Sequence, residues 1–458
     1  MNRKQKQLLL IAALCAVLFL AVYLLFGRED TGNGRSTLTG NASESQASAN
    51  LFDRMLATNT ADTSKTRLAP LAPKNAAVAE ARTDRSTIDC PVIVKGMDGA
   101  MNAKRFQEKL RSKFEETDAR LAALLQQVMQ SSNPIEKAGA SYLSLQMAYE
   151  NSKNNFLKMH PGCEGNPVCE KELDASPTVP QQAIDEVAKL ALNSRDPALY
   201  AMVFNMCNRY SWDEGYCSQI NALQWANRDP ENGAVWLHTL THLQPESEGK
   251  DKDFIDNALF RLSTAKTFDA GFFSLAKLQG SQILSTSDPA IQARLQELSS
   301  HIWDNTPLPA YSRVVKACSG EMLNNGNRRH TCERITQQFL RERNFFIDYA
   351  IAFKMGGNLG WAPERLKTVQ ENIEAVGGMM IKNQKLEKEE QEKMLPALQR
   401  CQSYFKDIMH AEELARVGEF KRYQQMVGEQ AETRAELIQI AKNSRAERER
   451  KAALEKSK

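Results

Sequence analysis

Asp229-Pro230-Glu231-Asn232-Gly233-Ala234-Val235-Trp236 sets the fold class. A side chain able to cap a helix precedes a proline, whose missing N–H and fixed φ suit the first helical position, and apolar residues follow. The same arrangement recurs at Asn133-Pro134, Asp196-Pro197 and Asp288-Pro289. From about Met101 onward apolar residues return every three or four positions, as in Leu121, Leu124, Leu125, Val128 and Met129, and sustained period-two alternation is absent. The reading is an all-α protein divided by capped prolines into short antiparallel helices.

Asp196-Pro197 and Asp229-Pro230 lie 33 residues apart, each opening a segment with room for two helices of about twelve to fifteen residues. In the second unit Trp236 stands at a large aromatic position of the first helix, and Ala258, Leu262 and Ala265 form a small-large-small triplet in the second. In the unit before it, Ala222 and Trp225 hold the later two triplet positions. Over residues 196–285 the chain resembles the tetratricopeptide repeat family. Thr239 and Leu240 replace that family's Leu-Gly pair, Trp225 breaks its small-residue rule, and the turn from Pro245 to Asp251 is longer than its pattern. The resemblance implies stacked helix pairs with a curved, protein-binding surface, against which an ordinary non-repetitive helical domain stands as the alternative.

Leu8 to Phe26 is a run of nineteen apolar residues without a charge, long enough at about 1.5 Å per residue to cross the roughly 30 Å core of a bilayer. Arg3, Lys4 and Lys6 precede it, while Arg28, Glu29 and Asp30 follow with mixed sign. The positive-inside rule then places residues 1–7 in the cytoplasm and everything past the anchor outside it. A cleaved signal peptide would have a shorter apolar region ending at small residues, whereas Ala21-Val22-Tyr23-Leu24-Leu25-Phe26 stays bulky. Residues 27–86, rich in Ser, Thr, Asn, Ala and Gly, read as a flexible linker. Within them Leu51-Phe52-Asp53-Arg54-Met55-Leu56 is the one apolar patch. Residues 87–415 read as the exported α-helical domain and residues 416–458 as a charged helical tail, solvated or acting as an arm for an acidic partner or anionic lipid.

One of nine cysteines, Cys15, lies inside the apolar run. The eight downstream suit an oxidising compartment, and none forms Cys-x-x-Cys. They allow 105 pairings. Proximity favours Cys163 with Cys169, Cys207 with Cys217 and Cys318 with Cys332, leaving Cys90 for Cys401. The second and third pairs would staple helical hairpins, one around Trp212 and the other around Asn324-Asn325-Gly326-Asn327.

Motifs of chemistry are few. His238 and His242 share one helical face, but Thr239 stands where a metalloprotease helix carries Glu and no third ligand is near, which favours packing or capping. Gly356-Gly357-Asn358-Leu359-Gly360-Trp361 follows a helix and reads as its C-cap, not as a phosphate loop. Phe339, Phe346 and Phe353 repeat every seven residues, with Phe345 and Tyr349 beside them, and read as one apolar face of a long helical stretch. The sequence carries no catalytic set, no cofactor motif and no metal site, and a net charge of +3 gives no ground for nucleic acid.

These readings converge on a single-pass protein of a bacterial inner membrane, its bulk in the periplasm. A type II protein of a eukaryotic secretory membrane is the alternative, with Asn41-Ala42-Ser43 as a glycosylation acceptor. The expected function is a non-enzymatic scaffold or chaperone-like adaptor for protein partners at the membrane, with Trp212, Tyr216 and Trp361 at hairpin ends as binding aromatics. An envelope hydrolase acting on the cell wall is the competing reading. A reporter that works only outside the cytoplasm, fused after Lys458, should be active; activity only of a cytoplasmic reporter there overturns the topology.

Overall fold

The computed structural model describes residues 88–456 except 161–162, 164–168, 170–179, 211–213, 242–249, 272–285, 305, 307, 310, 342–344 and 418. The apolar run Leu8 to Phe26, residues 27–86, Trp212 and His242 lie outside the described residues. Among the described residues no helix is long and apolar enough to cross a membrane.

The described elements are α1 (Cys90–Ile93), α2 (Ala103–Val128), α3 (Pro134–Met159), α4 (Gln181–Leu192), α5 (Pro197–Tyr210), α6 (Ala222–Arg228), α7 (Gly233–Thr241) and α8 (Lys250–Thr264). They continue with α9 (Pro289–Asp304), α10 (Tyr311–Ala317), α11 (Gly326–Phe339), α12 (Phe346–Leu359) and α13 (Pro363–Glu392). Last come α14 (Ala397–Val417), α15 (Glu419–Gly428) and α16 (Arg434–Lys456). Two residue pairs form an antiparallel ribbon, Ala100 opposite Pro396 and Met101 opposite Leu395.

Three of the four expected caps form. The side chain of Asn133 accepts from Ile135 N–H at 3.0 Å, that of Asp196 from Ala198 N–H at 2.8 Å, and that of Asp288 from Ala290 N–H at 2.9 Å. Each satisfies an orphan donor at the start of its helix. Asp229 does not, because helix α7 begins three residues beyond Pro230 and its cap is Asn232, whose Oδ1 accepts from Ala234 N–H at 3.0 Å. The same oxygen accepts from Asp269 N–H at 3.0 Å, and Asn232 Nδ2 donates to Asp229 Oδ2 and to Asp269 O. A contact 37 residues away thus decides where α7 starts.

The units are also less even than two helices of twelve to fifteen residues each. Helix α5 has 14 residues but α6 only 7, and α7 has 9 against 15 in α8. Their small-large pattern nevertheless packs: Ala222, Trp225, Trp236, Ala258, Leu262 and Ala265 are all buried.

From α3 the helices stack in succession, α4 on α3, α5 on α4, and so on to α8; the stack then passes to α11, α12 and α13. Helix α9 leaves this order and turns back onto α2 and α3, with α14 packed on it as well. Phe106, Leu110, Phe114, Leu121, Leu125 and Val128 give α2 one buried face at three- and four-residue spacing. The disulfides join Cys90 to Cys401, Cys163 to Cys169, Cys207 to Cys217 and Cys318 to Cys332, with Cα separations of 5.7, 5.1, 5.4 and 5.6 Å. Around the first of them Ile93, Met101, Phe106, Ala397 and Phe405 form a core of their own. Buried Arg400 joins the ribbon to the end of α13, donating to Met101 O at 3.1 Å and to Glu390 O at 2.9 Å.

Phe339 and Phe346 are not on one helix. The chain breaks between α11 and α12, so Phe339 enters the main core while Phe346 and Tyr349 stack on Phe420 of α15. The glycine-rich segment does cap α12: Gly360 takes a left-handed φ of 75°, and Trp361 N–H returns to Gly356 O at 2.9 Å. Beyond residue 416 the chain is helical and partly docked, since Phe420 and Leu437 are fully buried against Tyr349, Val376 and Met379. Helix α16 lies so close to α13 that a Cβ on Gly378 would stand 1.8 Å from Leu437 O. The short apolar seam of residues 435–441 is what makes that approach favourable.

A buried and a half-buried carboxylate, Asp348 and Glu419, meet at the start of α12. Asp348 accepts from Phe345 N–H and Glu419 from Phe346 N–H, each at 2.8 Å. Burial pushes the Asp348 carboxyl up to about 7, against hydrogen bonds from Tyr311 and Phe345 that favour its charge, and burial raises Glu419 as well. The folded state therefore holds these protons more tightly than the unfolded chain. Their contribution is fully present below the ordinary carboxylate range and is lost as pH rises towards about 7. Chemical denaturation of the chain and of Asp348→Asn at several pH values should show the variant gaining on the parent across this interval. A difference that does not vary with pH rejects the assignment.

Candidate functional site

Helices α2, α3, α9 and α14 bring charged side chains into the interior at one point. Arg294 on α9, 5% exposed, sits among three carboxylates. Its Nε donates to Asp118 Oδ1 at 2.9 Å, and its Nη1 donates to Glu150 Oε2 at 3.0 Å and to Glu297 Oε2 at 2.6 Å. Two of the acids have further partners. Glu150 Oε1 accepts from Gln146 Nε2 at 2.7 Å and lies 2.5 Å from His301 Nδ1, while Glu297 Oε1 accepts from Tyr404 Oη at 2.6 Å. Gln146 in turn accepts from Tyr210 Oη at 2.7 Å, which carries the network to α5.

Burial alone would pull the Arg294 guanidinium down, but the charges of Glu150, Glu297 and Asp118 outweigh it and hold its proton more firmly than usual. Burial also pushes Tyr404 well above its ordinary range, aided by the charge of Glu297. Tyr210 is raised by burial too, with partial relief from Arg209. The phenols therefore act as donors, not as bases, near neutral pH.

A cavity of about 60 Å³ opens beside the cluster. Glu115, Asp118, Asn154, Glu297, His301 and Tyr404 are among its lining. It admits water or a very small polar ligand and is far below the size of an ordinary substrate pocket. Glu150 and Glu297 with His301 are groups able to exchange protons, yet Arg294 grips both acids and stiffens them in place.

Of the binding aromatics singled out from the sequence, Tyr216 and Trp361 are among the described residues and stand on separate elements. Trp361, expected at an accessible hairpin end, is buried: its Nε1 donates to Glu333, and the Arg365 guanidinium lies over its ring. Capping of α12 by Gly360 folds the indole back onto that helix, which explains the difference. Tyr216 is 36% exposed, on the 3₁₀ turn Gly215–Gln219, with Lys189 Nζ 4.3 Å from its ring centroid. Its backbone N–H donates to Asp185 Oδ1 at 2.8 Å. Buried His238 packs its ring against Phe204 and Trp225.

The Arg294 cluster escaped the sequence reading, although a signal was there. Asp118 falls four residues after Phe114 and three before Leu121, in the apolar phase of α2. Arg294 stands likewise between Ile291 and Leu298. A charge in the phase of a buried face needs a buried partner. No family model, curated protein or solved structure matches the chain.

Replacing Arg294 with Met would leave three interior carboxylates without their cation. The expected loss is about 3–5 kcal/mol, read by denaturant unfolding of the full chain, and Arg294→Lys should recover only part because it cannot reproduce the fork. Unchanged stability in Arg294→Met rejects this role.

Proposed function

We propose that the chain is a membrane-anchored, non-enzymatic scaffold that holds protein partners in the cell envelope, with Leu8 to Phe26 in the bilayer. In this reading the tetratricopeptide-like stack from α5 to α8 supplies a curved recognition surface of helix faces. The observation that carries the proposal is the Arg294 cluster: its acids are gripped by one guanidinium beside a cavity of about 60 Å³, which suits a strut between helices better than a bed for a substrate. The disulfides support an oxidising location. The convergence of Glu150, Glu297 and His301 favours the second reading, an envelope hydrolase acting on the cell wall.

Of the two expected binding aromatics among the described residues, Tyr216 is the accessible one. A photoreactive side chain placed there should give discrete protein adducts in intact cells. Tyr216→Ala should lower recovery of the same partner about ten-fold with the fold intact. Adducts that vary at random, or turnover of a cell-wall preparation that disappears in both Glu150→Gln and Glu297→Gln, would replace the scaffold reading.

A further inference from the structure

Helices α15 and α16 hold to the body through side-chain contacts. The disulfides all lie between Cys90 and Cys401, so residues 419–456 fall outside every loop that a disulfide closes. On α13, Val376 and Met379 pack with Leu437, and Glu374 receives Arg445 at 2.8 Å. On α12, the rings of Tyr349 and Phe420 stack with centroids 3.4 Å apart, and Glu419, the first residue of α15, accepts from Phe346 N–H. Glu419 is thus a docking contact and a titratable group at once. It faces another acid: Asp348, which accepts from the adjacent Phe345 N–H, takes a hydrogen bond from Tyr311 of α10 and feels the charge of Glu419. Tyr423, one turn along α15, donates to Glu419. On the other helices packed against α15, Glu374 and Lys382 of α13 are paired with Arg445 and Glu432, and Lys406 of α14 is exposed. Arg422 of α15 itself pairs with Glu429. Among the described residues neither Asp348 nor Glu419 has a cationic partner.

We propose that α15 and α16 form a pH-gated cover over α12 and α13, docked while Asp348 and Glu419 keep a proton between them and released when both are ionised. Two like charges side by side in the interior repel, so the docked pair titrates as a unit. Asp348 is fixed in the first turn of α12, whereas Glu419 reaches water by leaving with its helix. Release is therefore the way out of the repulsion. Burial raises both acids, Asp348 to about 7. The docked form holds protons that the released form gives up, so docking is strongest below the ordinary carboxylate range and weakens as pH rises towards about 7, by up to about ten-fold per proton for each pH unit. This opening is confined to residues 419–456, and the body closed by Cys90 and Cys401 stays folded. It uncovers Tyr349, Val376 and Met379 together. The proposal holds whether or not a protein partner binds at Tyr216.

Hydrogen exchange of the purified full chain, corrected for the intrinsic rate at each pH, reads the opening. Protection over residues 420–441 should fall about ten-fold or more between about pH 5 and about pH 7.5. Because the opening is local, its dependence on added denaturant should be shallow beside that of α2. Glu419→Gln and Asp348→Asn should each flatten the pH dependence, whereas loss of a merely structural contact would lower protection at both pH values and leave the fall between them. Equal protection of the parent at both pH values, a fall undiminished in both variants, or a denaturant slope over residues 420–441 that matches that of α2 overturns the proposal.

Discussion

The guanidinium of Arg294 is the point on which the tertiary arrangement turns. Helix α9 departs from the order of the stack, and its return to α2 and α3 carries a cation into the interior. Removing that charge from water is unfavourable by several kcal/mol unless the geometry compensates it. Here Asp118 comes from a residue 176 positions earlier and Glu150 from 144 positions earlier. Tyr404 then adds α14 through Glu297. Because each acid is stranded without Arg294, the interaction penalises every packing in which α9 sits elsewhere. Apolar contacts such as Leu295, Leu298 and Ile302 tolerate small slips along a helix face; a forked donor shared by three carboxylates does not.

Local chemistry was legible in the sequence and long-range choice was not. Asn133, Asp196 and Asp288 cap the helices that their prolines announce, because a cap needs only its own next turn. Asp229 carries the same signature and fails, since Asn232 is drawn into bonds with residue 269 and takes over the cap. Heptad spacing misled at Phe339 and Phe346 for a related reason. Asp348 at the third position of α12 returns to Phe345 N–H and starts a new helix inside what read as a continuous one.

The charged site was hidden by the commonness of its parts. Asp118, Glu150 and Arg294 are ordinary residues for a solvated helix face, and only their phase against Phe114, Leu121, Ile291 and Leu298 marks them as interior. Which acid meets which base depends on helices far apart in the chain, and pattern within one helix carries no record of it. Trp361 shows the reverse error. A position at the end of a helix looks accessible, but the left-handed turn at Gly360 folds the indole under Arg365 and onto Glu333.

The bond between Cys90 and Cys401 has a mechanical consequence. The bond closes a loop across 311 positions of sequence. Tension applied from the N-terminal side and resisted at α16 would pass straight from residue 90 into α14. Everything between, including the stack from α3 to α13, is bypassed and cannot be drawn out while the bond is intact. Within the described residues the extensible length under such a pull is the segment after Cys401, where α15 and α16 dock through Phe420 and Leu437. Under load the fold would therefore yield first at its C-terminal helices, and reduction of a single cystine would transfer the strain to the whole array.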